Sequence, residues 1–180
     1  MPELNALDDL IKDLDYEPTN EQIDQLYEIF EKHFIQDGVI VEGRRLEIYR
    51  TKSKLPIVRD LPESFAHVVT REGGVGRRYF DPARANKIHW LKPILIHSSD
   101  DRIHVFNRTH DKTGALQYFF WFKEKEFVVI LRNFHKDHFL VTAYCVDLRT
   151  EQQFTNWYRA GKCNKKPHIV CGARNLGHCD

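Results

Sequence analysis

The middle of the chain, residues 103–146, reads IHVFNRTHDKTGALQYFFWFKEKEFVVILRNFHKDHFLVTAYCV. It holds four runs rich in β-branched and aromatic residues, which are typical of strands. These runs are Ile103–Arg108, Gln117–Phe122, Phe127–Arg132 and Phe139–Val146. The polar connections between them are of hairpin length, and only antiparallel neighbours can be joined by such short loops. This part of the chain therefore predicts a four-stranded antiparallel meander.

Helical patterns precede the predicted sheet. Apolar residues at helical spacing predict one helix over Leu4–Leu14 and another from about Glu21, and residues 38–50 alternate like a hairpin. An Asp-Pro pair, typical of a helix start, predicts a helix over roughly residues 82–91. That helix should stop before Pro93, because proline restricts the residue that precedes it.

A last helix is expected between Asp147 and Gly161, with aromatic side chains on its packing face. The fold class is thus α+β: N-terminal helices, then a four-stranded antiparallel β-sheet meander, then a C-terminal helix. The chain divides into N-terminal helices and a hairpin (1–55), a central core (56–161) and a tail that contains cysteine and histidine (162–180).

Composition favours a folded, cytoplasmic protein. Hydrophobic residues make up 42% of the 180 residues, which is enough for a packed core. The net charge of +1 does not by itself indicate nucleic-acid binding. The N-terminus lacks a charged start followed by an apolar run, so no secretory signal is expected. No run approaches the roughly 20 apolar residues that a membrane span needs, and no membrane partner is predicted.

The tail concentrates residues that bind metals. Cysteines and histidines with lysines between them leave two interpretations open: a structural zinc site, or a basic arm that contacts RNA. Their spacing matches no common zinc finger, so no metal is assigned. The candidate ligands are Cys163, His168, Cys171, His178 and Cys179.

Three segments between residues 60 and 160 resemble parts of the barnase, EndoU, colicin tRNase and RelE-like ribonuclease superfamily, in particular its phage and polymorphic-toxin branches. They are His67-Val68-Val69-Thr70-Arg71, Ile88-His89-Trp90-Leu91-Lys92-Pro93 and Phe139-Leu140-Val141-Thr142-Ala143-Tyr144. The order of helices and strands is similar as well. The resemblance implies a nuclease core over residues 56–161 and a hydroxyl side chain of the final strand in the active site, which points to Thr142 and, less directly, to Tyr144.

RNA cleavage without a metal needs a base for the ribose 2′-hydroxyl, an acid for the leaving oxygen and a cation on the phosphate. Histidine suits proton transfer because its ordinary pKa is near 6.5. His67 and Arg71 would share one face if their segment is helical, but not if it is extended. The alternative for His67 is a partly buried structural histidine.

The last predicted strand places its two hydroxyl residues on one face. Thr142 and Tyr144 are two residues apart, and Val141 and Ala143 should point the other way, so the hydroxyl face is expected to be the open side of the sheet. Ordinary β-propensity would explain the same residues.

Three further arginines are candidates for binding the RNA backbone. Arg77 and Arg78 follow a glycine-rich loop, and Arg108 ends the first strand of the meander. The loop lacks the lysine and serine of a nucleotide-binding P-loop, so triphosphate binding is not expected. For Arg108 an exposed strand-end arginine is the plainer interpretation.

The favoured hypothesis is a metal-independent endoribonuclease, a toxin or phage-derived effector, that cleaves RNA by 2′-hydroxyl attack without a cofactor. Its expected partners are RNA and a cognate antitoxin or immunity protein. The main alternative is a non-catalytic module on the same scaffold that binds RNA or another protein. A third hypothesis makes the chain a zinc-stabilised adaptor whose tail is the functional element.

Overall fold

The computed structural model describes residues 4–161 and 166–172. Within these ranges the helices are α1 Asn20–Phe30, α2 Glu63–Val69, α3 Pro82–Ala85, α4 Leu91–Ile96 and α5 Leu148–Gly161. The strands are β1 Val39–Val41, β2 Arg44–Arg45, β3 Thr70–Glu72, β4 Arg78–Phe80, β5 Ile103–Thr109, β6 Leu116–Phe122, β7 Phe127–Phe134, β8 Asp137–Cys145 and β9 Ile169–Cys171. A π-helical segment, Glu31–Gln36, extends α1, and short 3₁₀ turns lie at Leu4–Ala6, Pro56–Val58, Gly74–Gly76, Ile88–Trp90 and Lys123–Lys125.

Strands β5 to β8 form the predicted meander, in sequence order and antiparallel throughout. The tight turns around Glu126 and His135 place these residues in the left-handed region, with φ of 50° and 56°. Helix α5 follows the sheet as expected. The predicted α+β class, with helices before a four-stranded meander and one helix after it, is confirmed.

Helices cover both faces of this sheet. On one face Val105, Phe120 and Val129 are buried in the main core, which also takes in apolar residues of α1, α2 and α4. On the other face Phe106 and other aromatic side chains pack beneath Phe154 of α5. The main core draws on residues from Leu4 to Ile169, and β9 pairs with β1 near the other end of the chain.

A bulge changes the side-chain pattern of β8. Ile130 pairs with Thr142 while its neighbour Leu131 pairs with Leu140, so Val141 is an extra residue. Leu140 and Ala143 are both buried in the main core, whereas Val141 packs with Tyr144 against the cluster beneath α5. The expected strict alternation, with Val141 and Ala143 on one face, is therefore wrong.

The helix predicted over Leu4–Leu14 is also wrong, since only the turn Leu4–Ala6 is helical. The side chain of Asn86 accepts a hydrogen bond from the Ile11 amide at 2.6 Å and donates one to the Ile11 carbonyl at 2.9 Å. Trp90 Nε1 donates to the Asp8 carbonyl at 3.1 Å. These distant groups satisfy backbone atoms that a helix would have paired internally.

The segment expected to be one helix over 82–91 is broken into α3, a 3₁₀ turn and α4. Asp81 caps α3 as predicted, with its carboxylate accepting from the Arg84 amide at 3.2 Å. Pro93 does not end the helical segment but lies within the first turn of α4. The amides of a helix's first turn have no partner within the helix, so a proline there removes no hydrogen bond from α4.

The helix expected from about Glu21 is confirmed, and the hairpin expected over residues 38–50 forms with a shorter second strand, Arg44–Arg45. Thr19 caps α1 in a reciprocal pair with Gln22, and the helical segment ends at Asp37 before Gly38, whose φ is 76°. Strands β1 and β2 form the hairpin. In the described ranges, no helix is long and apolar enough to cross a membrane.

Candidate active site

A row of polar side chains crosses the meander at one end. Arg108 lies opposite Gln117, Gln117 opposite Arg132, and Arg132 opposite Phe139. Residues directly opposite each other in an antiparallel sheet share a face, and this row shares the face on which Phe106 packs under α5. Helix α5 covers the apolar rows of that face and leaves the polar row accessible.

A cleft of about 410 Å³ opens over this polar row. We call it the His67 cleft. Its size falls within the roughly 300–1,000 Å³ that is usual for small-molecule sites. Its walls come from the segment after β2, from α2, from the β5–β6 connection and from three strands of the meander. The lining residues are Tyr49, Glu63, His67, His110, Thr113, Gln117, Arg132 and Val141.

His67 and Glu63 form a pair on the exposed side of α2. They are four residues apart, so their side chains meet on one face of the helix, with His67 Nε2 3.2 Å from Glu63 Oε1. Burial lowers the pKa of His67, the nearby charge of Arg78 lowers it further, and Glu63 opposes both effects. The imidazole is therefore mainly neutral at pH 7, the form that can accept a proton.

Arg132 brings positive charge into the cleft. Its guanidinium donates a hydrogen bond to the Tyr49 hydroxyl and lies 5.5 Å from the centre of that ring, and Tyr49 in turn stacks on Phe139. Arg132 Nε is buried without a hydrogen-bond partner. Within residues 4–161 and 166–172 no carboxylate forms an ion pair with Arg132. Its charge is thus available to an anion that enters the cleft.

A second imidazole, His110, lies in the cleft on the connection between β5 and β6. Its Nδ1 is 3.2 Å from Thr113 Oγ1, and its carbonyl accepts the Gly114 amide at 2.8 Å. Gly114 has φ of 67°, a conformation that glycine adopts without strain. This turn holds His110 against the open end of the sheet.

Thr142 was expected in the active site, but it does not line the His67 cleft. Its hydroxyl donates to the backbone carbonyl of His67 at 3.0 Å, so it ties the edge strand β8 to α2 rather than facing the cleft. Farther along the same edge, the amide of Leu140 donates to the Glu47 carbonyl at 3.0 Å. The second contact occupies a backbone amide that an edge strand would otherwise expose.

Tyr144 lies under α5 and not on an open face. Its ring is 6.3 Å from that of Phe154, and the Arg84 guanidinium lies 5.5 Å above it. Burial raises the pKa of its hydroxyl. The expectation that the Thr142 and Tyr144 face is the open side of the sheet is wrong over this part of β8, because α5 covers it.

The arginines near the glycine-rich loop lie outside the His67 cleft. Helix α2 ends at Val69, so Arg71 belongs to β3 and does not share a helical face with His67. Arg71 and Arg77 are exposed. Arg78 donates to the hydroxyl of Thr70 at 2.9 Å and to its carbonyl at 3.1 Å, which secures the β3–β4 hairpin to the end of α2.

Arg108 belongs to the polar row but lies beyond the His67 cleft. Its guanidinium carbon is 3.9 Å from the centre of the Trp157 ring on α5. The two residues line a neighbouring depression that shares His110 and Gln117 with the cleft.

Among the described residues, no group of three histidine, cysteine or acidic side chains could hold a metal ion. Of the candidate zinc ligands in the tail, Cys163, His178 and Cys179 lie outside the described ranges. His168 precedes β9, and Cys171 is a free thiol in that strand. The zinc interpretation and the RNA-arm interpretation of the tail both stay hypotheses.

Several cleft residues were not anticipated from the sequence. The sequence contained a signal for Glu63, because Glu63 precedes His67 by four residues, about one helical turn. Arg71 was considered because it follows His67 at the same spacing. Arg132 and Gln117 could have been paired with Arg108 from the hairpin registers. Tyr49 had no local signal, since it reaches the cleft from a segment far away in the sequence.

No family model matches the chain, and no curated protein or solved structure matches it either.

Proposed function

We propose that the chain is a metal-independent endoribonuclease whose active site is the His67 cleft. The observation that carries the proposal is the set of groups that meet there: two imidazoles, a carboxylate and an arginine that has no acidic partner among the described residues. Metal-free RNA cleavage needs two proton-transfer groups and a cation at the phosphate. The His67 cleft brings these groups together at one end of the sheet.

His67 is the general base in this mechanism. Its neutral imidazole takes the proton of the ribose 2′-hydroxyl, and Glu63 stabilises the imidazolium that forms. The 2′-oxygen then attacks the neighbouring phosphorus, a new P–O bond closes a 2′,3′-cyclic phosphate, and the bond to the 5′-oxygen breaks.

His110 is the general acid that protonates the departing 5′-oxygen, which leaves as a hydroxyl. Arg132 and the hydroxyl of Tyr49 contact the phosphate oxygens, where negative charge grows as the phosphorus becomes five-coordinate. A fixed guanidinium in a partly enclosed cleft is worth more to the transition state than one in open solvent. Gln117, between the two arginines of the row, offers a neutral hydrogen-bond donor.

The wider setting of this activity is part of the same proposal. Cytoplasmic RNA is the proposed substrate pool, and the free thiols of Cys145 and Cys171 suit a reducing compartment. A nuclease that cuts cellular RNA endangers its own cell, so a cognate antitoxin or immunity protein that covers the His67 cleft is the proposed partner. Membership of the ribonuclease superfamily, in a phage or toxin branch, is proposed with it.

The test is incubation of purified protein with total RNA in the presence of a metal chelator. The wild type should cleave RNA, and His67→Ala should be slower by about 10²- to 10⁴-fold, the usual contribution of a positioned proton-transfer group. The matched control is His135→Ala, which removes an exposed histidine from the β7–β8 turn. Thermal melting checks that both variants fold.

Two results would contradict the proposal. Cleavage by folded His67→Ala at the wild-type rate would remove His67 from the mechanism. A wild type that cuts no RNA but binds it would favour the non-catalytic module instead.

A further inference from the structure

The polar row of the sheet continues out of the His67 cleft into a second depression of about 360 Å³. We call it the Trp157 depression. It has His110 and Gln117 in common with the cleft, so the two form adjoining parts of one groove. Its other lining residues are Arg108, Thr109, Asp111, Lys112, Phe119, Gln153 and Trp157.

A stack of aromatic and guanidinium groups, with the Trp157 and Phe154 rings tilted by 37° to each other, forms one side of this depression. Trp157 packs on Phe154 with ring centres 5.3 Å apart, and Arg108 lies 3.9 Å from the Trp157 ring centre. Close packing fixes the end of α5 that carries Trp157: a Cβ at Gly161 would lie 2.6 Å from the Asn107 carbonyl oxygen. The stack is therefore positioned by the fold before any ligand arrives.

The charge of the depression suits an anion next to a flat ring. Within the described parts of the chain, Arg108 has no carboxylate at ion-pair distance. Lys112 adds a second positive charge and Asp111 one negative charge. An unpaired nucleotide combines a π-face, which stacks on indole or guanidinium, with a phosphate that pairs with arginine or lysine.

We propose that the Trp157 depression binds an unpaired nucleotide just beyond the two that flank the scissile phosphate, so the substrate is single-stranded RNA longer than a dinucleotide. This inference rests on the proposed function, because it takes the His67 cleft as the place of cleavage. Double-stranded RNA would not bind in the depression, because its bases are stacked on each other and offer no free face to the protein.

The first experiment measures how cleavage depends on substrate length. The substrates are the dinucleotide that the wild type cuts best and a hexanucleotide that carries it in the centre. The wild type should have a higher kcat/KM for the hexanucleotide, and Arg108→Gln should reduce that advantage by about 5- to 100-fold, the range for one stacked base. The charge-matched control is Arg159→Gln. Arg159 is an exposed arginine on α5 that lines neither the His67 cleft nor the Trp157 depression.

The second experiment measures binding without cleavage, through tryptophan fluorescence. Trp90 and Trp121 are buried, whereas Trp157 is half-buried at the depression. A single-stranded 2′-O-methyl hexanucleotide, which cannot be cut, should quench the wild type. Trp157→Phe, which keeps an aromatic ring in place, should abolish the quenching, and the duplex form of the same oligonucleotide should quench far less.

The outcomes separate the two proposals. Cleavage without a length advantage, together with no quenching, overturns the depression as a nucleotide site and leaves the endoribonuclease standing. Quenching by the single strand in a protein that cuts no RNA supports the depression and overturns the endoribonuclease. Equal quenching of wild type and Trp157→Phe overturns the depression whatever the cleavage result.

Discussion

The hydroxyl of Thr142 donates a hydrogen bond to the backbone carbonyl of His67 over 3.0 Å, across 75 residues of sequence. That carbonyl is in the last turn of α2, where carbonyl groups lack partners within the helix. The contact holds the histidine-bearing turn against β8, so Thr142 is a positioning residue in this structure.

Thr142→Val should therefore destabilise the protein by about 0.5–1.5 kcal/mol, the usual net contribution of one hydrogen bond, because it removes the donor to the His67 carbonyl while the side chain keeps its shape. Thr142→Ser keeps the hydroxyl and should lose less. Urea unfolding of the wild type and both variants measures the difference. Equal stability of the valine and serine variants would mean that the hydrogen bond contributes nothing.

The rate of RNA cleavage should depend on pH through His67. Burial and Arg78 lower the pKa of His67, so the acidic limb of the kcat/KM profile should have its midpoint below pH 6.5. Glu63 raises this pKa, so Glu63→Gln should move the acidic limb to still lower pH and also reduce the maximal rate. A limb that moves to higher pH in Glu63→Gln would be inconsistent with His67 as the base.

Arg132 and Arg71 offer a direct comparison between the structure and the sequence hypothesis. Arg132→Gln should lower kcat by about 10²- to 10³-fold, as expected for the loss of one group that stabilises the transition state. Arg132→Lys should recover only part of the rate, because lysine lacks the planar fork of donors. Arg71→Gln removes the same charge from the exposed β3–β4 hairpin and should change the rate little. A larger loss for Arg71→Gln than for Arg132→Gln would restore the sequence-based assignment.

Stability should fall in mild acid because of His33. Burial and the charge of Lys92 lower the pKa of His33 to about 4, and its Nδ1 is buried without a partner. Well above pH 6.5 the His33 imidazole is neutral in both the folded and the unfolded chain, so protonation takes no stability from the fold there. As the pH falls from about 6.5 toward 4, the unfolded chain takes up the proton first, and the folded state loses stability.

Urea unfolding at pH 7 and pH 5 measures this loss. The unfolding free energy should fall between pH 7 and pH 5 by about 1 kcal/mol less in His33→Gln than in the wild type. A group that is protonated in the unfolded chain but not in the folded one changes this free energy by at most about 1.4 kcal/mol for each pH unit. His135→Gln, an exposed histidine, is the control and should retain the wild-type drop. The same drop in all three proteins would exclude His33 as its source.

The predictions from sequence are most accurate where the local residue pattern and the tertiary contacts favour the same structure. The meander runs and the hairpins that join them lie where expected, and so do the start of α1 near Glu21 and the extent of α5. The helix expected over Leu4–Leu14 does not form, because Asn86 bonds to both backbone groups of Ile11. Nothing near Leu4 in the sequence signals a partner about 75 residues away.

The candidate site divides in the same way. His67 was singled out from the sequence and lines the cleft. Arg71 was chosen for its spacing from His67, whereas Thr142 and Tyr144 were chosen from the resemblance and placed on an open face by strict alternation. Helix α2 ends too early for the first assumption, and the bulge at Val141 breaks the second.

The sequence by itself determined the four strands, their antiparallel order and the aromatic helix that follows them, because period-two runs and hairpin-length connections are local properties. Only the tertiary structure decided which polar groups meet. The cross-strand register aligns Arg108, Gln117 and Arg132, and packing of α2 against β8 brings His67 and Glu63 to that row. The hairpin registers follow from short connections, but the packing of α2 and of the Tyr49 segment against the sheet is set by contacts between residues far apart in the chain. The site therefore exists only after the sheet and its helices have come together.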